Sequence, residues 1–580
     1  MALPDLDFRN TNTIWCSVLT ETLAQLGVKH AVISPGSRSA ALAVALVRHP
    51  GIESIPVLDE RSAAFFALGL ARQHQRAVVL VCTSGTAGAN FFPAVIEAQE
   101  SGIPLFVITA DRPPEMRECA SGQTIDQQKL FGSHVNFYHE LAVPESSLKL
   151  LGYVRQTVRH AHAVAMAAMP GPVHLNAPFR DPLVPIDDGT AAALADECDW
   201  EKFFADHVPA SPVELTASVP TFSADTRGII VAGPAQPADP AAYAETVASI
   251  AERLGWPVLA DGLSPLRHHA VMHPHLIITY DLLLRNPSLV QQLRPQRVLC
   301  LGGWPISKVL RAALQQNNAA VLLLSEGAQN RDALHGRTQH LQISLARFAA
   351  QLPGTAATPG DYHRLWASLD RNARSALMIK MQAMTEMFEG RATWLLAQHL
   401  PVGTPIFVAN SMPVRDAEYF WPASDRRLRP FFNRGANGID GTLSTALGVT
   451  HGGVPTVLLT GDLALLHDTN GFLLPSKLSG SLTIVVINNR GGGIFEHLPI
   501  AEFDPPFEEF FATPQRVSFE KLCSAYGIPH TMIRDWAHFI ELIGTLPAGG
   551  IRVLEVRTNR KRDAEMRKQM FTDIAAALEE

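Results

Sequence analysis

Nine short apolar runs recur along the chain, and they constrain its fold more than any other feature. They lack apolar–polar alternation, which is the pattern of parallel strands covered by helices on both faces. Longer amphipathic stretches separate them, so the sequence predicts repeated βα units and an α/β protein. The predicted strands are 30–34, 77–82, 105–109, 228–232, 297–301, 320–324, 405–409, 456–460 and 482–487.

Two segments rich in Pro, Gly and Ala, 181–195 and 352–361, interrupt this rhythm and are candidate linkers. The length of 580 residues allows two to four domains at about 150 residues each. We predict three doubly wound parallel-sheet domains, at 1–185, 200–352 and 365–580.

A faint internal parallel relates the first and third blocks. In the first, a strand followed by Gly85 precedes a helical stretch and a strand that leads into Asp111. In the third, a strand leads into Gly461 and Asp462, and the next leads into Asn489. We therefore predict that the first and third domains are related, with the active site where they meet, and that the middle domain is a Rossmann-like spacer.

Composition excludes several classes of protein. Lys+Arg 48 against Asp+Glu 55 gives a net charge of −7, so we expect neither a nucleic acid nor a membrane surface as partner. The six cysteines form no Cys-x-x-Cys pair and no zinc spacing, which predicts reduced thiols. The N-terminus lacks signal-peptide character and no apolar run suits a membrane span, so we expect a cytoplasmic protein.

The strongest motif is the pair Asp462 and Asn489, which lie 27 positions apart at the ends of two predicted strands. Such ends converge at the carboxyl edge of a parallel sheet, where α/β folds bind ligands. With the carbonyl of Gly491 they offer three oxygen ligands to a hard cation such as Mg²⁺. Gly461 would let a diphosphate approach the backbone, and the next helix would favour its charge. The alternative is a turn and a glycine-rich loop that bind nothing.

This motif resembles the cofactor motif of the thiamine-diphosphate-dependent enzymes, Gly-Asp followed at a similar distance by Asn-Asn. The resemblance implies that Asp462, Asn489 and Gly491 hold Mg²⁺ or Mn²⁺ against the diphosphate of thiamine diphosphate. It also implies that Glu60, in Asp-Glu-Arg-Ser, reaches the aminopyrimidine ring across a subunit interface, within a homodimer or a dimer of dimers. The alternative is a solvated acid in a charged turn.

Other segments are similar to the menaquinone-pathway branch of that family, and the similarity covers essentially the whole chain. It implies a transferase that decarboxylates 2-oxoglutarate and adds the succinyl carbanion equivalent to isochorismate by conjugate addition, for menaquinone or phylloquinone biosynthesis. The segments are Ser-Pro-Gly-Ser-Arg-Ser at 34–39, Thr-Ser-Gly-Thr-Ala at 83–87, Thr-Ala-Asp-Arg-Pro-Pro-Glu at 109–115, Asn-Arg-Gly-Ala-Asn-Gly-Ile-Asp-Gly at 433–441 and Gly-Gly-Ile-Phe at 492–495.

Arginines recur within or near these segments, each beside a turn at a predicted strand end. Two dicarboxylate substrates bring four negative charges, and the guanidinium fork binds a carboxylate in bidentate fashion. The alternative for any one arginine is a solvated surface position. The four arginines are Arg38, Arg112, Arg415 and Arg434.

The resemblance also implies individual roles. Ser411, Arg415 and Arg434 would hold the distal carboxylate of 2-oxoglutarate. The pocket for isochorismate would be lined by Ser37, Arg38, Arg112, Gln123 and Lys308. Ile439 would wedge under the bent cofactor, and Ile494 and Phe495 would wall the site. The residues expected to act in the reaction itself are Glu60, Arg38, Gln123, Arg415 and Arg434.

One position departs from the family pattern, in which a Lys-Arg pair follows a glycine-rich strand end in the middle domain. This chain has Lys308 followed by Val309, and valine cannot bind a carboxylate. If Lys308 opens a helix, Arg311 shares its face three residues later. We predict that Arg311 substitutes for the missing arginine.

Two alternatives stay open at this stage. The nearer is another thiamine-diphosphate enzyme, either acetohydroxyacid synthase-like or a simple 2-oxo acid decarboxylase, although the arginines argue against smaller and less charged substrates. The other is a nucleotide-binding regulatory protein or dehydrogenase built on the middle domain. Its apolar run at 228–235 is not followed by Gly-x-Gly-x-x-Gly, so the dinucleotide fingerprint is absent.

Overall fold

A computed structural model describes residues 6–205, 217–222, 226–474 and 477–578 of the chain. Within these ranges eighteen strands form three six-stranded sheets, and every strand pairing is parallel. The first sheet contains β1 (His30–Ile33), β2 (Glu53–Pro56), β3 (Val78–Cys82), β4 (Leu105–Asp111), β5 (Phe137–Glu140) and β6 (Val173–Pro178). The middle sheet contains β7 (Gly228–Ala232), β8 (Val258–Ala260), β9 (Leu276–Ile277), β10 (Arg297–Leu301), β11 (Ala320–Ser325) and β12 (Arg337–Gln342). The third sheet contains β13 (Pro405–Val408), β14 (Arg429–Phe431), β15 (Thr456–Gly461), β16 (Ser481–Asn488), β17 (His530–Met532) and β18 (Gly550–Arg557).

The strand orders confirm the predicted fold class. The first sheet has the order β2-β1-β3-β4-β6-β5, and the third has β14-β13-β15-β16-β18-β17, which is the same order counted from its own first strand. The middle sheet, β12-β11-β10-β7-β8-β9, has the 3-2-1-4-5-6 order of dinucleotide-binding folds. The first and third sheets are therefore related, and the middle one is Rossmann-like.

Twenty α-helices connect these strands within the described ranges. Around the first sheet they are α1 (Thr11–Gln25), α2 (Ala40–Arg48), α3 (Glu60–His74), α4 (Ala87–Asn90), α5 (Phe92–Ser101), α6 (Leu148–Ala165) and α7 (Trp200–Ala205). Around the middle sheet they are α8 (Pro240–Leu254), α9 (Tyr280–Leu283), α10 (Pro287–Gln292), α11 (Lys308–Asn317) and α12 (Leu345–Gln351). The remaining helices are α13 (Asp361–Ala383), α14 (Glu389–His399), α15 (Met412–Phe420), α16 (Thr442–Thr450), α17 (Asp462–His467), α18 (Phe519–Ala525), α19 (Trp536–Gly544) and α20 (Arg560–Ala577).

The chain divides into two compact units. The first comprises the described residues of Met1–Val213, Asn433–Gly452 and His467–Ser479, and it therefore includes α16 as well as the first sheet. The second comprises the described residues of the rest and contains the middle and third sheets. Among the described helices, none combines the length and the apolar character that crossing a membrane requires.

Each unit is built around buried strands. In the first unit β3 and β4 are buried along their whole length, and α1 packs the buried Trp15 against the same core. A capping box at Asn10 begins that helix, because its side chain accepts the backbone N–H of Thr13. In the second unit one apolar cluster runs from β7 and β10 to β13 and β15, so the middle and third sheets share a core.

Helices α3 and α16 cross backbone to backbone inside the first unit. A Cβ on Gly69 would lie 2.1 Å from the carbonyl oxygen of Thr445 and 2.9 Å from the Cα of Gly448. A Cβ on Gly448 would lie 2.1 Å from the carbonyl oxygen of Phe66. No side chain fits at either position, so the two glycines set the distance between these helices.

We predict that Gly69→Ala or Gly448→Ala destabilises the protein. The added methyl group overlaps backbone atoms that cannot rotate away, and such overpacking costs about 1–3 kcal/mol. Urea unfolding followed by circular dichroism measures the change.

Gly152→Ala is the matched control. Gly152 lies inside α6, and a Cβ there would meet no atom within 4 Å. It should leave stability unchanged or raise it by up to about 1 kcal/mol. Equal effects of the three substitutions would contradict the assignment of a tight crossing.

Candidate active site

The carboxyl edge of the third sheet carries the predicted metal motif. Strand β15 ends at Gly461, and α17 begins at Asp462. The backbone N–H groups of Leu463 and Gly491 donate to the two Asp462 carboxylate oxygens, each at 2.8 Å. Burial raises the pKa of Asp462 to about 6, although these N–H groups oppose the shift. The structure thus brings Asp462 and the loop after β16 together, as the spacing indicated.

Asn489 has a side-chain oxygen that makes no hydrogen bond within the described part of the protein. Its Nδ2 donates to Glu389 Oε2 at 3.0 Å, whereas its Oδ1 is buried and has no hydrogen-bond partner. A buried acceptor without a donor is open to a partner outside the protein, such as an ion or a water molecule. Sequence analysis missed Glu389, because the first residue of a helix is commonly acidic and carries no further signal.

Asp462 and Asn489 fit a hard cation. The carbonyl oxygen of Gly491 is a third candidate ligand. It accepts one hydrogen bond from Gly493 N–H at 2.9 Å and keeps a second lone pair. A Cβ on Gly461 would meet no atom within 4 Å, so there is space beside the motif. Among the described residues no three His, Cys, Asp or Glu side chains cluster as metal ligands. A cation bound by Asp462 therefore also needs amide and carbonyl oxygens as ligands.

The predicted wall residues follow this loop. Ile494 and Phe495 lie in a short 3₁₀ segment, Gly493–His497, and both are partly buried. The ring of Phe495 packs edge-on against Phe511 with the ring centroids 5.9 Å apart. The segment is therefore anchored by packing on one side of the motif.

Ser411 and Arg415 stand at the start of α15, after β13. Ser411 has a φ of 72°, in the left-handed region that non-glycine residues seldom adopt, and its carbonyl accepts a hydrogen bond from Arg415 Nη1 at 2.6 Å. Such backbone strain clusters at functional sites. Burial lowers the pKa of Arg415, and the nearby charge of Arg311 lowers it further. The structure thus places Arg415 within electrostatic reach of Arg311.

Helix α11 supplies that second arginine. It begins at Lys308, as predicted, with the Ser307 hydroxyl accepting the Leu310 N–H at 3.0 Å. Lys308 is exposed, Val309 packs against the apolar core, and the buried Nε of Arg311 has no hydrogen-bond partner.

The backbone segments that follow β7 and β10 lie close together at the carboxyl edge of the middle sheet. In this strand order a dinucleotide would bind where β7 and β10 diverge. A Cβ on Gly233 would lie 1.6 Å from the carbonyl oxygen of Gly303, so two backbone loops touch there. Together with the absence of a Gly-x-Gly-x-x-Gly segment after β7, this contact argues against the dehydrogenase alternative.

The first unit gathers its predicted residues at the carboxyl edge of the first sheet. Gln123 has a φ of 55°, and its Nε2 donates to the Ser84 carbonyl at 2.9 Å. Arg112 Nη2 donates to the Gly122 carbonyl at 3.0 Å, so the loop around Gln123 folds back over the ends of β3 and β4.

Ser37 and Arg38 follow β1 at the same edge. Ser37 is exposed, whereas Arg38 is only 5% exposed. Arg38 Nη1 donates to the Phe179 carbonyl at 2.9 Å and lies 3.7 Å from Asp181, while its buried Nε has no hydrogen-bond partner. One donor of this guanidinium is thus unused by the protein.

Glu60 is the first residue of α3 and is partly buried. Asp59 caps the helix by accepting the Ser62 N–H at 2.9 Å, and it also accepts Asn470 Nδ2 at 2.7 Å. Burial raises the pKa of Cys82 above its ordinary value, and the charge of Glu60 adds to that shift. Glu60 therefore faces the end of β3, within the first unit.

A buried carboxylate holds the loop that carries Arg434 and Ile439. Glu97 accepts the backbone N–H groups of Gly435 at 3.0 Å and Ala436 at 2.7 Å. It also accepts Arg72 Nη2 at 2.8 Å, and both side chains are almost fully buried. Arg434 and Ile439 are themselves partly buried. Sequence analysis missed Glu97, although an acid among the buried positions of α5 was a usable signal.

We predict that Glu97→Ala lowers the free energy of unfolding by about 3–5 kcal/mol, because it breaks a buried ion pair with Arg72 by removing one member. Loss of two backbone acceptor contacts should also expose 433–441 to limited proteolysis. Glu100→Ala, an exposed position on the same helix, is the control and should change stability by less than about 0.5 kcal/mol. Similar losses in both variants would refute the role of Glu97.

Comparisons with known proteins agree with these features. Residues 16–130 match the family model "Thiamine pyrophosphate enzyme, N-terminal TPP binding domain", and residues 199–408 match "Middle domain of thiamine pyrophosphate". The 2-succinyl-5-enolpyruvyl-6-hydroxy-3-cyclohexene-1-carboxylate synthase of Synechococcus sp. (strain JA-3-3Ab) is 53% identical over 98% of both chains. The synthase of the same name from Microcystis aeruginosa (strain NIES-843 / IAM M-2473) is 52% identical over 96% of this chain and 98% of its own.

Among solved structures, benzoylformate decarboxylase from Polynucleobacter necessarius superposes with a TM-score of 0.65, over 95% of this chain and 99% of that one. Its sequence is 18% identical, so this likeness shows the fold alone.

Proposed function

The chain belongs to the 2-succinyl-5-enolpyruvyl-6-hydroxy-3-cyclohexene-1-carboxylate synthases, which are thiamine-diphosphate-dependent enzymes, and from this premise we propose how its residues divide the reaction. The enzyme is a transferase that decarboxylates 2-oxoglutarate and adds the succinyl group to isochorismate by conjugate addition, in menaquinone or phylloquinone biosynthesis. The observation that carries this function is about 50% identity to synthases of that name over nearly the whole chain. An acetohydroxyacid synthase-like enzyme or a simple decarboxylase is not favoured.

We propose that two related domains bind the cofactor. The domain 365–580 would bind the diphosphate and the domain 1–185 the pyrimidine, and 200–352 would be a spacer domain. Bound thiamine diphosphate supplies a thiazolium ring that stabilises the negative charge left when CO₂ departs. Asp462, Asn489 and the Gly491 carbonyl would hold Mg²⁺ or Mn²⁺, a role supported by the unpaired Asn489 Oδ1.

Other residues would shape the cofactor site. Gly461 leaves room for a diphosphate, and Ile439, Ile494 and Phe495 would give the rings an apolar surface. Glu60 would share a proton with a ring nitrogen of the aminopyrimidine, and we place it on the cofactor of the other subunit. The protein would therefore act as a homodimer or a dimer of dimers. A cytoplasmic location stays a prediction.

The arginines would bind the carboxylate groups of the substrates. We propose that the distal carboxylate of 2-oxoglutarate is bound by Ser411, Arg415 and Arg434. The charge of Arg311 acts on Arg415, and two neighbouring positive charges favour an anionic group beside them. The residues proposed for isochorismate and the intermediate are Ser37, Arg38, Arg112, Gln123, Lys308 and Arg311. Of these, Arg38 and Gln123 would also act in the reaction, together with Glu60, Arg415 and Arg434.

The function is tested by incubating the purified protein with thiamine diphosphate, Mg²⁺ and 2-oxoglutarate, with and without isochorismate. We expect rapid CO₂ release and the adduct, identified by mass spectrometry, only when isochorismate is present. Equal CO₂ release without isochorismate would support the simple decarboxylase. Turnover of pyruvate in place of 2-oxoglutarate would support the acetohydroxyacid synthase-like alternative.

We predict that Glu60→Gln lowers kcat about 100-fold or more, because an amide cannot take up the proton, and positioned proton transfer contributes about 10²–10⁴-fold. Steady-state kinetics at saturating cofactor measure the effect. The control Glu145→Gln changes an exposed acid elsewhere in the domain and should keep full activity. Near-normal turnover of Glu60→Gln would contradict the proposed role.

We predict that Arg311→Ala raises KM for isochorismate about 10- to 100-fold, since a charge-assisted hydrogen bond contributes about 1.5–3 kcal/mol. The control Arg371→Ala removes an exposed arginine and should leave KM unchanged. An unaltered KM in Arg311→Ala would show that Arg311 does not replace the family's arginine.

A further inference from the structure

The orientation of the Asn489 amide is set by one contact. An asparagine amide can turn by 180°, which exchanges its donor for its acceptor with little change in shape. Here Nδ2 donates to Glu389 Oε2 at 3.0 Å, so the oxygen is left on the other side, buried and unpaired. A carboxylate only accepts hydrogen bonds, so it selects this orientation and rejects the reverse one.

Glu389 cannot turn away to release Asn489. It is the first residue of α14 and is 2% exposed. Its other oxygen, Oε1, accepts Arg567 Nη2 at 2.7 Å, and its own backbone N–H donates to Asp563 Oδ2 at 3.4 Å. With both carboxylate oxygens and the backbone engaged, the side chain has one position.

Arg567 in turn joins several segments of the proposed site. It is 2% exposed, donates to Asp416 Oδ1 at 2.6 Å and to His497 Nε2 at 2.9 Å, and lies over the ring of Phe388 at 5.3 Å. Asp416 follows the substrate arginine Arg415 in α15, and His497 ends the segment that contains Ile494 and Phe495. One guanidinium therefore connects the metal edge to both neighbouring parts of the site.

The charges in this cluster do not balance. Arg567 faces the buried carboxyl groups of Glu389, Asp416 and Asp563, and the only other cation paired with them among the described residues, Arg562, lies 3.6 Å from Asp563. Burial raises the pKa of Asp416 to about 8, although Arg567 opposes the shift. Well-packed apolar residues would usually be as stable as a buried ion cluster, so stability alone does not explain this arrangement.

We propose that Glu389 is a positioning residue for the metal site. It fixes the orientation of the Asn489 amide, so that the amide oxygen is available to the cation. Arg567 holds Glu389 in place and aligns the metal edge with α15. The inference rests on the proposed role of Asn489 as a metal ligand. If Glu389 is lost, the amide can present Nδ2 to the cation, and this orientation repels the charge.

The first test is Glu389→Gln, which keeps the size of the side chain but can also donate to Asn489 Oδ1. Mg²⁺ is titrated into the protein at saturating thiamine diphosphate, and binding is followed by intrinsic fluorescence and by calorimetry, without turnover. We expect about 10- to 100-fold weaker Mg²⁺ binding, as for other groups that orient a metal ligand. We also expect kcat at saturating Mg²⁺ to change only a few-fold. Unchanged Mg²⁺ affinity would overturn the proposal.

The chain contains a matched control in Glu555. It is buried on β18 and accepts Nδ2 of Asn488, the neighbouring asparagine of the same motif, at 2.7 Å. Glu555→Gln thus removes a buried charge that contacts an asparagine, as Glu389→Gln does, but at an asparagine other than Asn489. It should lower stability while the Mg²⁺ affinity of the folded protein stays unchanged. Equal weakening in both variants would show that buried charge, not amide orientation, is responsible, and would overturn the proposal.

A second substitution provides a rescue. Asn489→Asp in the Glu389→Gln background gives a ligand whose two oxygens are both acceptors, so its orientation no longer matters. We expect this double variant to recover most of the lost Mg²⁺ affinity. Asn489→Asp alone places two carboxylates in contact and should bind Mg²⁺ no more tightly than the unaltered protein. Absence of rescue in a double variant that folds, judged by circular dichroism, would refute the inference.

Asp462→Ala separates this inference from the proposed function. It should abolish Mg²⁺-dependent binding of thiamine diphosphate. If binding persists in Asp462→Ala, the proposed metal site is wrong. If binding is lost there while Glu389→Gln binds Mg²⁺ normally, the metal site stands and only the role of Glu389 is refuted.

Discussion

Parallel pairing of strands that are buried on both faces is the constraint on which the rest of this structure depends. Each strand must be followed by a crossover, so each sheet collects its strand-to-helix loops at one edge. Nearly all of the proposed site residues lie in loops, or in the first turns of helices, that directly follow a strand. These are Ser37 and Arg38 after β1, Glu60 after β2, Arg112 after β4, Lys308 after β10, Ser411 after β13, Arg434 after β14, Asp462 after β15 and Asn489 after β16. Topology thus confines most of the proposed site residues to the carboxyl edges of three sheets.

In both units a buried ion pair between a glutamate and an arginine holds a segment at one of these edges. In the first, buried Glu97 pairs with Arg72 and holds two backbone N–H groups of a loop. In the second, buried Glu389 pairs with Arg567 and holds a side-chain amide. Paired carboxylates contribute little net stability, but they accept hydrogen bonds from fixed directions. Such a pair therefore fixes the position of the backbone or side-chain groups that donate to it, in loops that are proposed to bind ligands.

The sequence predicted half of the strands. All nine predicted strands are present, and most of the missed ones are edge strands, which bury little and need no apolar run. Two missed strands are interior and fully buried: β8 has only three residues, and the buried His174 and Asn176 interrupt the apolar run of β6. β12 has largely exposed polar residues, and β9 has two residues. β18 was missed for another reason: it contains the buried Glu555, whose partners include His530 and Asn488 on distant segments as well as Arg557 on the same strand. Glu389 escaped detection for the same reason, since a charge with a distant partner resembles a surface charge in the sequence.

The proposed substitution of Arg311 for the arginine missing at Val309 depends on the geometry of a helix. Successive helical residues are rotated by about 100°, so residues three apart share a face while adjacent ones do not. Val309 uses the face turned to the core, where it packs against the apolar cluster of the second unit. Arg311 shares the face of Lys308, and its charge reaches Arg415 on another element. In the proposed arrangement Arg311 supplies the cation from the face of Lys308, and position 309 is left for packing against the core.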